Sequence, residues 1–179
     1  MNIKNKNITR LVFGGLLAAI VTVSTMVIQI PTPTKGYVNL GDCFVIIAGW
    51  LLGGWGGALA AGIGSGLADL FAGYATYAPA TFVIKALMAA AAAGTFRLIT
   101  KKNSSWSFGA RIIAAVTAEL IMIVGYAVFE AFLYGSAGTA LVGVPANAVQ
   151  GLAGIIFSVT VHETVIKRIP AAKSLNAAD

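Results

Sequence analysis

The chain has 179 residues, of which 58% are apolar and only 10% are charged, against roughly 25% charged in an ordinary soluble domain. So few charges cannot coat a soluble globule of this size, and the mean hydropathy of +0.87 agrees. Composition therefore excludes a cytosolic enzyme, a nucleic-acid-binding domain and a disordered tail. It predicts an all-α integral membrane protein, folded as a single membrane domain over residues 1–179. The net charge of +6 comes from basic residues clustered beside apolar runs, which is the pattern of a topology signal. The single cysteine, Cys43, allows no intramolecular disulfide and lies in an apolar run, where cysteine acts as a small hydrophobe.

The polar, basic opening MNIKNKNITR is followed by an uncharged stretch over 11–30. That stretch is long enough to cross a hydrocarbon core of ~30 Å as a retained helix, and it stops at Pro31-Thr-Pro33. Gly36-Tyr-Val-Asn-Leu-Gly-Asp42 opens a second run over 40–53. Gly53-Gly-Trp-Gly-Gly57 predicts a tight turn before a third helix over 57–72. A fourth over 79–99 starts at Pro79, where a missing N–H costs nothing. The polar Lys101-Lys-Asn-Ser-Ser105 precedes a fifth helix over 108–134, and a loop over 135–143 precedes a sixth over 144–166. The architecture expected is a compact bundle of six transmembrane helices, with the second and third short for full spans.

Lys4, Lys6, Arg10, Arg97, Lys101, Lys102, Arg111, Lys167, Arg168 and Lys173 all fall on one side of this bundle, and only Lys35 on the other. Lys/Arg excess marks the cytoplasmic face, so both termini are expected to be cytoplasmic in a multi-pass protein of the cell membrane.

Charges inside apolar spans are expensive and mark functional positions by default. Here they are Asp42, Asp69, Lys85, Glu119 and Glu130, and all but Glu119 lie toward the outer side. Asn39, Tyr74 and Tyr77 flank the outer loops, and Asn147 and Gln150 sit in the outer turns of the last helix. Glu119, Tyr126 and Glu130 are spaced 7 and 4 residues apart, which stacks them on one helix face. These groups converge on an outward polar cavity, whose tyrosines suit a planar ligand. The candidate substrate-binding residues are Asn39, Tyr74, Tyr77, Lys85, Tyr126, Glu130, Asn147 and Gln150. The same positions also fit helix-end or interhelical pairs for Asp42 and Asp69, a snorkelling Lys85 or its pairing with Asp69 or Glu130, packing for Glu119, and an interfacial aromatic belt for Tyr74 and Tyr77. His162 and Glu163, near the cytoplasmic end, read as solvated or partner-facing.

No Walker-type phosphate loop, HExxH or cysteine–histidine cluster occurs, so no cofactor, metal or catalytic residue is expected. Gly62-Ile-Gly-Ser-Gly66 lies inside an apolar helix with no strand before it and reads as a packing face. Small-residue faces on the first helix (Gly14 with Ala18, Gly15 with Ala19) allow close helix approach, within the chain or with a partner.

Six short helices, the Gly36–Asp42 segment, the glycine-rich Gly62–Asp69 stretch and Tyr77-Ala-Pro-Ala-Thr-Phe-Val-Ile-Lys85 together resemble the substrate-binding S components of energy-coupling factor (ECF) vitamin transporters. The likeness is to the branch of riboflavin-type and hydroxymethylpyrimidine- or pyridoxine-type members, and it spans nearly the whole chain. It implies high-affinity capture of a vitamin or precursor from outside. It implies partnership in the bilayer with a transmembrane coupling subunit and two cytosolic ATPases. It also implies docking through an AxxxA-type motif on the first helix, matched here by Gly14-Ala18 and Gly15-Ala19. A site closed by the loop from Pro31 to Asn39 together with the last three helices follows from the same resemblance. The polar set suits a small ring such as hydroxymethylpyrimidine or pyridoxine, with riboflavin as the alternative. A self-sufficient secondary transporter or channel would need a polar path through both halves, and the inner half offers only Glu119 and His162.

Overall fold

The computed structural model describes residues 3–32, 34–173 and 175. Pro33, and the side chains of Lys4, Lys6 and Lys173 counted in the charge asymmetry, lie outside that description. Helix α1 runs Ile3–Val27, α2 Gly41–Phe71, α3 Ala78–Lys102, α4 Ser107–Tyr134 and α5 Ala137–Thr164, with a short α6 at Pro170–Lys173. Among the described residues, five helices are long and apolar enough to cross a membrane. Between α1 and α2 the strands β1 (Ile30–Pro31) and β2 (Tyr37–Val38) pair antiparallel, Ile30 opposite Val38.

The second and third expected helices are one element, α2, with a single break. Gly53 takes φ 79 and ψ −174 inside it, a region that glycine alone occupies cheaply. Beyond it Gly57 returns to within 2.7 Å, measured from a built Cβ, of the Ala48 carbonyl and the Gly49 Cα. The chain therefore reverses at one residue rather than over five, and the legs 41–52 and 54–71 lie side by side. The absence of a Cβ at Gly57 is what lets them touch.

Other boundaries moved for local reasons. α1 begins at Ile3, because the polar opening is itself helical, and ends at Val27, where the chain leaves for the β1–β2 hairpin. α5 begins at Ala137, not Val144, because Ser136 caps it by accepting from the Thr139 amide at 3.3 Å. Pro145 consequently lies inside α5. Gly135, at φ 64, ends α4 in the left-handed conformation, a frequent way to close a helix.

The 41–52 leg is the centre of the packing: Val45, Ile46, Ile47 and Ala48 have no exposure and Trp50 only 1%. Around it α1, α3, α4 and α5 expose Leu11, Val27, Leu98, Val128, Phe132 and Leu141. Helices that are apolar both inward and outward belong in lipid. The Gly62–Gly66 stretch packs as the sequence reading expects: a Cβ at Gly62 would lie 2.9 Å from the Phe82 carbonyl, and Thr22 of α1 donates to the Gly64 carbonyl at 2.8 Å.

The approach of α2 to α3 depends on Gly49, whose built Cβ collides with the Ala89 carbonyl. Gly49→Ala should lower stability in detergent by about 1–3 kcal/mol, the usual cost of overpacking. Gly94→Ala, with nothing within 4 Å of its Cβ, should be neutral or stabilising by up to about 1 kcal/mol. Equal effects of the two substitutions on thermal unfolding would contradict this contact.

Candidate functional site

Lys85 enters the bundle from α3, two turns below Pro79, and pairs with Asp42 at the start of α2; both are buried, at 2% and 0% exposure. The second Asp42 oxygen accepts from Gln150 Nε2 of α5 at 2.6 Å. Gln150 Oε1 in turn accepts from the Asn39 backbone amide at 2.8 Å. One chain of contacts thus ties α3, α2, α5 and the β1–β2 segment. Lys85 also lies 5.4 Å from the centre of the Tyr126 ring, within cation–π range.

Above this network is a narrow polar cavity with about 30 Å³ of free space, room for a water or two. Its walls include Thr25 of α1, Ser65 and Asp69 of α2, Thr81 and Lys85 of α3, Tyr126 and Glu130 of α4, and Asn147 and Gln150 of α5. The segment 28–40 forms a strap across it, contributing Thr32, Gly36, Tyr37 and Asn39. The strap is pinned at several points. Tyr77 and Tyr134 both donate to the Thr34 carbonyl, at 2.6 and 2.7 Å, and Tyr37 donates to Asp69 Oδ1 at 2.6 Å. Burial and the Asp69 carboxylate push the Tyr37 phenol far above its ordinary pKa. Burial, with Tyr134 and Glu130 beside it, does the same for Tyr77. Both therefore stay protonated donors at any physiological pH.

Of the eight predicted substrate-binding residues, Asn39, Tyr77, Lys85, Tyr126, Glu130, Asn147 and Gln150 line this one cavity. Tyr74 does not; its ring meets that of Tyr37 at a tilt of 50°, centroids 4.6 Å apart. Thr25, Ser65, Asp69 and Thr81 were not among the predicted eight. Ser65 and Thr81 sit one turn before Asp69 and Lys85 respectively, so the i, i+4 rule applied to the two charges finds them. Thr25 carries no comparable signal.

Glu119 lies outside the cavity wall, buried against Gly151 and Gly154, with neither oxygen hydrogen-bonded. His162 is not solvated as expected. It is 4% exposed, with its ring edge-on to Trp50 at 5.7 Å. Beside it Glu163 bridges Arg111 at 3.4 Å and Lys167 at 3.0 Å. Among the described residues no group of His, Cys, Asp and Glu could hold a metal ion.

On the same structure, Gly14, Gly15 and Ala18 of α1 line an apolar groove with Leu52, Trp55, Leu59 and Ile63 of α2, rimmed by Arg10 and Arg97. Trp55 is 88% exposed. Ala19 is exposed and lies outside the groove wall.

A helical membrane bundle enclosing a polar cavity under a hydrogen-bonded strap defines a binding protein for a small solute. The family described as "ECF-type riboflavin transporter, S component" matches residues 5–167, and the chain belongs to it: it is a substrate-binding subunit of an ECF transporter, in a family of transporter components rather than of enzymes. The fold resembles the solved structure of the S component of a bacterial ECF transporter, with a TM-score of 0.66 at 20% identity over 88% of this chain and 95% of that one. A Pyrococcus woesei protein described only as an uncharacterized protein in a gap 3′ region is 34% identical over 152 residues, covering 83% of this chain and 96% of its own.

The buried pair makes a testable demand. Lys85→Met leaves Asp42 charged and unpaired in the core, which should cost about 3–5 kcal/mol. Adding Asp42→Leu should recover part of that loss, because the stranded charge is removed. Strictly additive losses in the double variant, read by thermal unfolding, would show that the two side chains do not act as a pair.

Proposed function

We propose that the chain captures a small water-soluble vitamin or precursor from the external side of the cell membrane, with hydroxymethylpyrimidine or pyridoxine favoured. The observation that carries this reading is the strapped cavity, small and lined by tyrosine faces, carboxylates and amides. Asn39, Tyr77, Lys85, Tyr126, Glu130, Asn147 and Gln150 are the residues proposed to surround the ligand, with Tyr74 against Tyr37. Riboflavin is the second reading, favoured by the description of the matching family.

The bundle acts as a single membrane unit with both termini cytoplasmic. Counting the two α2 legs separately yields six crossings. Lys101, Lys102, Lys167 and Arg168 then gather at the end away from Lys35 and the cavity, which supports an external mouth. For transport the subunit assembles with an ECF transmembrane coupling subunit and two cytosolic ATPases. The α1–α2 groove at Gly14, Gly15 and Ala18 is the proposed docking face. The alternative of a self-sufficient transporter or channel is disfavoured because the cavity stops at the Asp42–Lys85 pair.

Thermal stability of the purified protein against a panel of water-soluble vitamins tests the reading. A ligand at 100 times its Kd adds about 2.7 kcal/mol, and one small heterocycle should do so. No shift across the panel would contradict vitamin capture. Gly15→Trp, which places a bulky ring in the groove, should block assembly with the coupling subunit and leave the ligand shift intact. Normal assembly would move the docking face elsewhere.

A further inference from the structure

The cavity holds more hydrogen-bond acceptors than it can satisfy. Lys85 is the one cation among its described lining residues, and its charge is taken by Asp42. Asp69 and Glu130 are each 3% exposed, and among the described residues neither has a cation within ion-pair distance. Asp69 Oδ2 and Glu130 Oε2 are buried, and the donors that reach the two carboxylates are Tyr37 and Thr81 for Asp69 and Tyr77 and Thr34 for Glu130. Tyr37 donates its one hydroxyl hydrogen bond to the other Asp69 oxygen. Tyr77 has spent its own on the Thr34 carbonyl at 2.6 Å, leaving Glu130 Oε1 at 3.4 Å. The Thr81 and Thr34 hydroxyls lie beside the two carboxylates, but each has one proton to give, and Thr81 also contacts the Tyr126 hydroxyl at 3.1 Å. A carboxylate offers about four lone-pair sites, so two are short of donors even with both hydroxyls turned toward them.

We propose that Asp69 and Glu130 are the specificity-determining acceptors of this site. They take N–H groups of an amino-substituted or protonated nitrogen heterocycle, and they reject anionic ligands. The inference rests on reading the cavity as the vitamin-capture site, and narrows it. A carboxylate or phosphate ester would bring like charge against both acceptors, while the lysine that could offset it is already engaged. An amino heterocycle supplies the missing donors and can also stack on the tyrosine faces. Desolvated donors and acceptors that pair only when the ligand enters are a strong source of selectivity.

The test is equilibrium binding in detergent by calorimetry. The probes are 4-amino-5-hydroxymethyl-2-methylpyrimidine, pyridoxamine, riboflavin and 4-pyridoxate, which carries a carboxylate where pyridoxamine carries an aminomethyl group. At least one of the two amino heterocycles should bind, and 4-pyridoxate should be weaker than pyridoxamine by about 100-fold or more. Asp69→Asn and Glu130→Gln should each lower affinity for the bound amino heterocycle by about 10- to 100-fold, the range for a hydrogen bond to a charged group. Unchanged affinity in both amide variants, or 4-pyridoxate binding as well as pyridoxamine, would overturn the proposal. If the amide variants fail to fold, the comparison of pyridoxamine with 4-pyridoxate on the unaltered chain still decides. Tight riboflavin binding that both amides leave intact would overturn the donor proposal and keep vitamin capture. Binding of no probe would overturn both.

Discussion

Everything in this bundle is arranged around one buried ion pair, Lys85 with Asp42. Each ion placed in a low-dielectric core costs several kcal/mol, which only close pairing and further hydrogen bonds offset. The pair sits where α2, α3 and α5 meet, and Gln150 completes it from the third helix. Because Gln150 also holds the Asn39 amide, the same interaction that neutralises the core fixes one end of the strap. The floor of the cavity and its cover are therefore coupled through a single side chain.

The pair can form because small residues let the helices come close. Gly49 meets the Ala89 backbone, Gly57 meets Ala48, and Gly154 gives room to Glu119. Without a strong hydrophobic drive between helices in lipid, such close packing carries much of the association. The price is conformational freedom at glycine, met in the fold by the surrounding contacts. Gly53 is different: it is needed for its φ, and it folds one apolar stretch back on itself so that Asp42 and Asp69 both face the same cavity region.

Much of this was legible in the residues. The membrane class, the positions of most helices and the convergence of Asn39, Tyr77, Lys85, Tyr126, Glu130, Asn147 and Gln150 follow from periodicity and from the cost of polar groups in lipid. The partner of Lys85 is Asp42, not the expected Asp69 or Glu130, because depth along a helix carries no azimuth. The cap at Ser136 was missed because the stretch 135–143, with its three glycines, reads as a loop. His162 was misread as solvated because a helix end at the membrane edge does not reveal which way its side chains face. Tyr74 was misplaced because position beside a loop cannot distinguish a cavity wall from the layer behind it.

The proposed capture from outside requires the cavity to open on the external face, covered there by the 28–40 strap. Labelling intact cells with a membrane-impermeant maleimide tests it directly, using Lys35→Cys and Thr34→Cys in a Cys43→Ala background. Lys35 is exposed at the strap tip while Thr34 is 3% exposed beneath the Tyr77 and Tyr134 hydroxyls. An external mouth predicts rapid labelling of Lys35→Cys and strong protection of Thr34→Cys without permeabilisation. Labelling of Lys35→Cys only after the membrane is breached would put the cavity on the cytoplasmic face and rule out capture from outside.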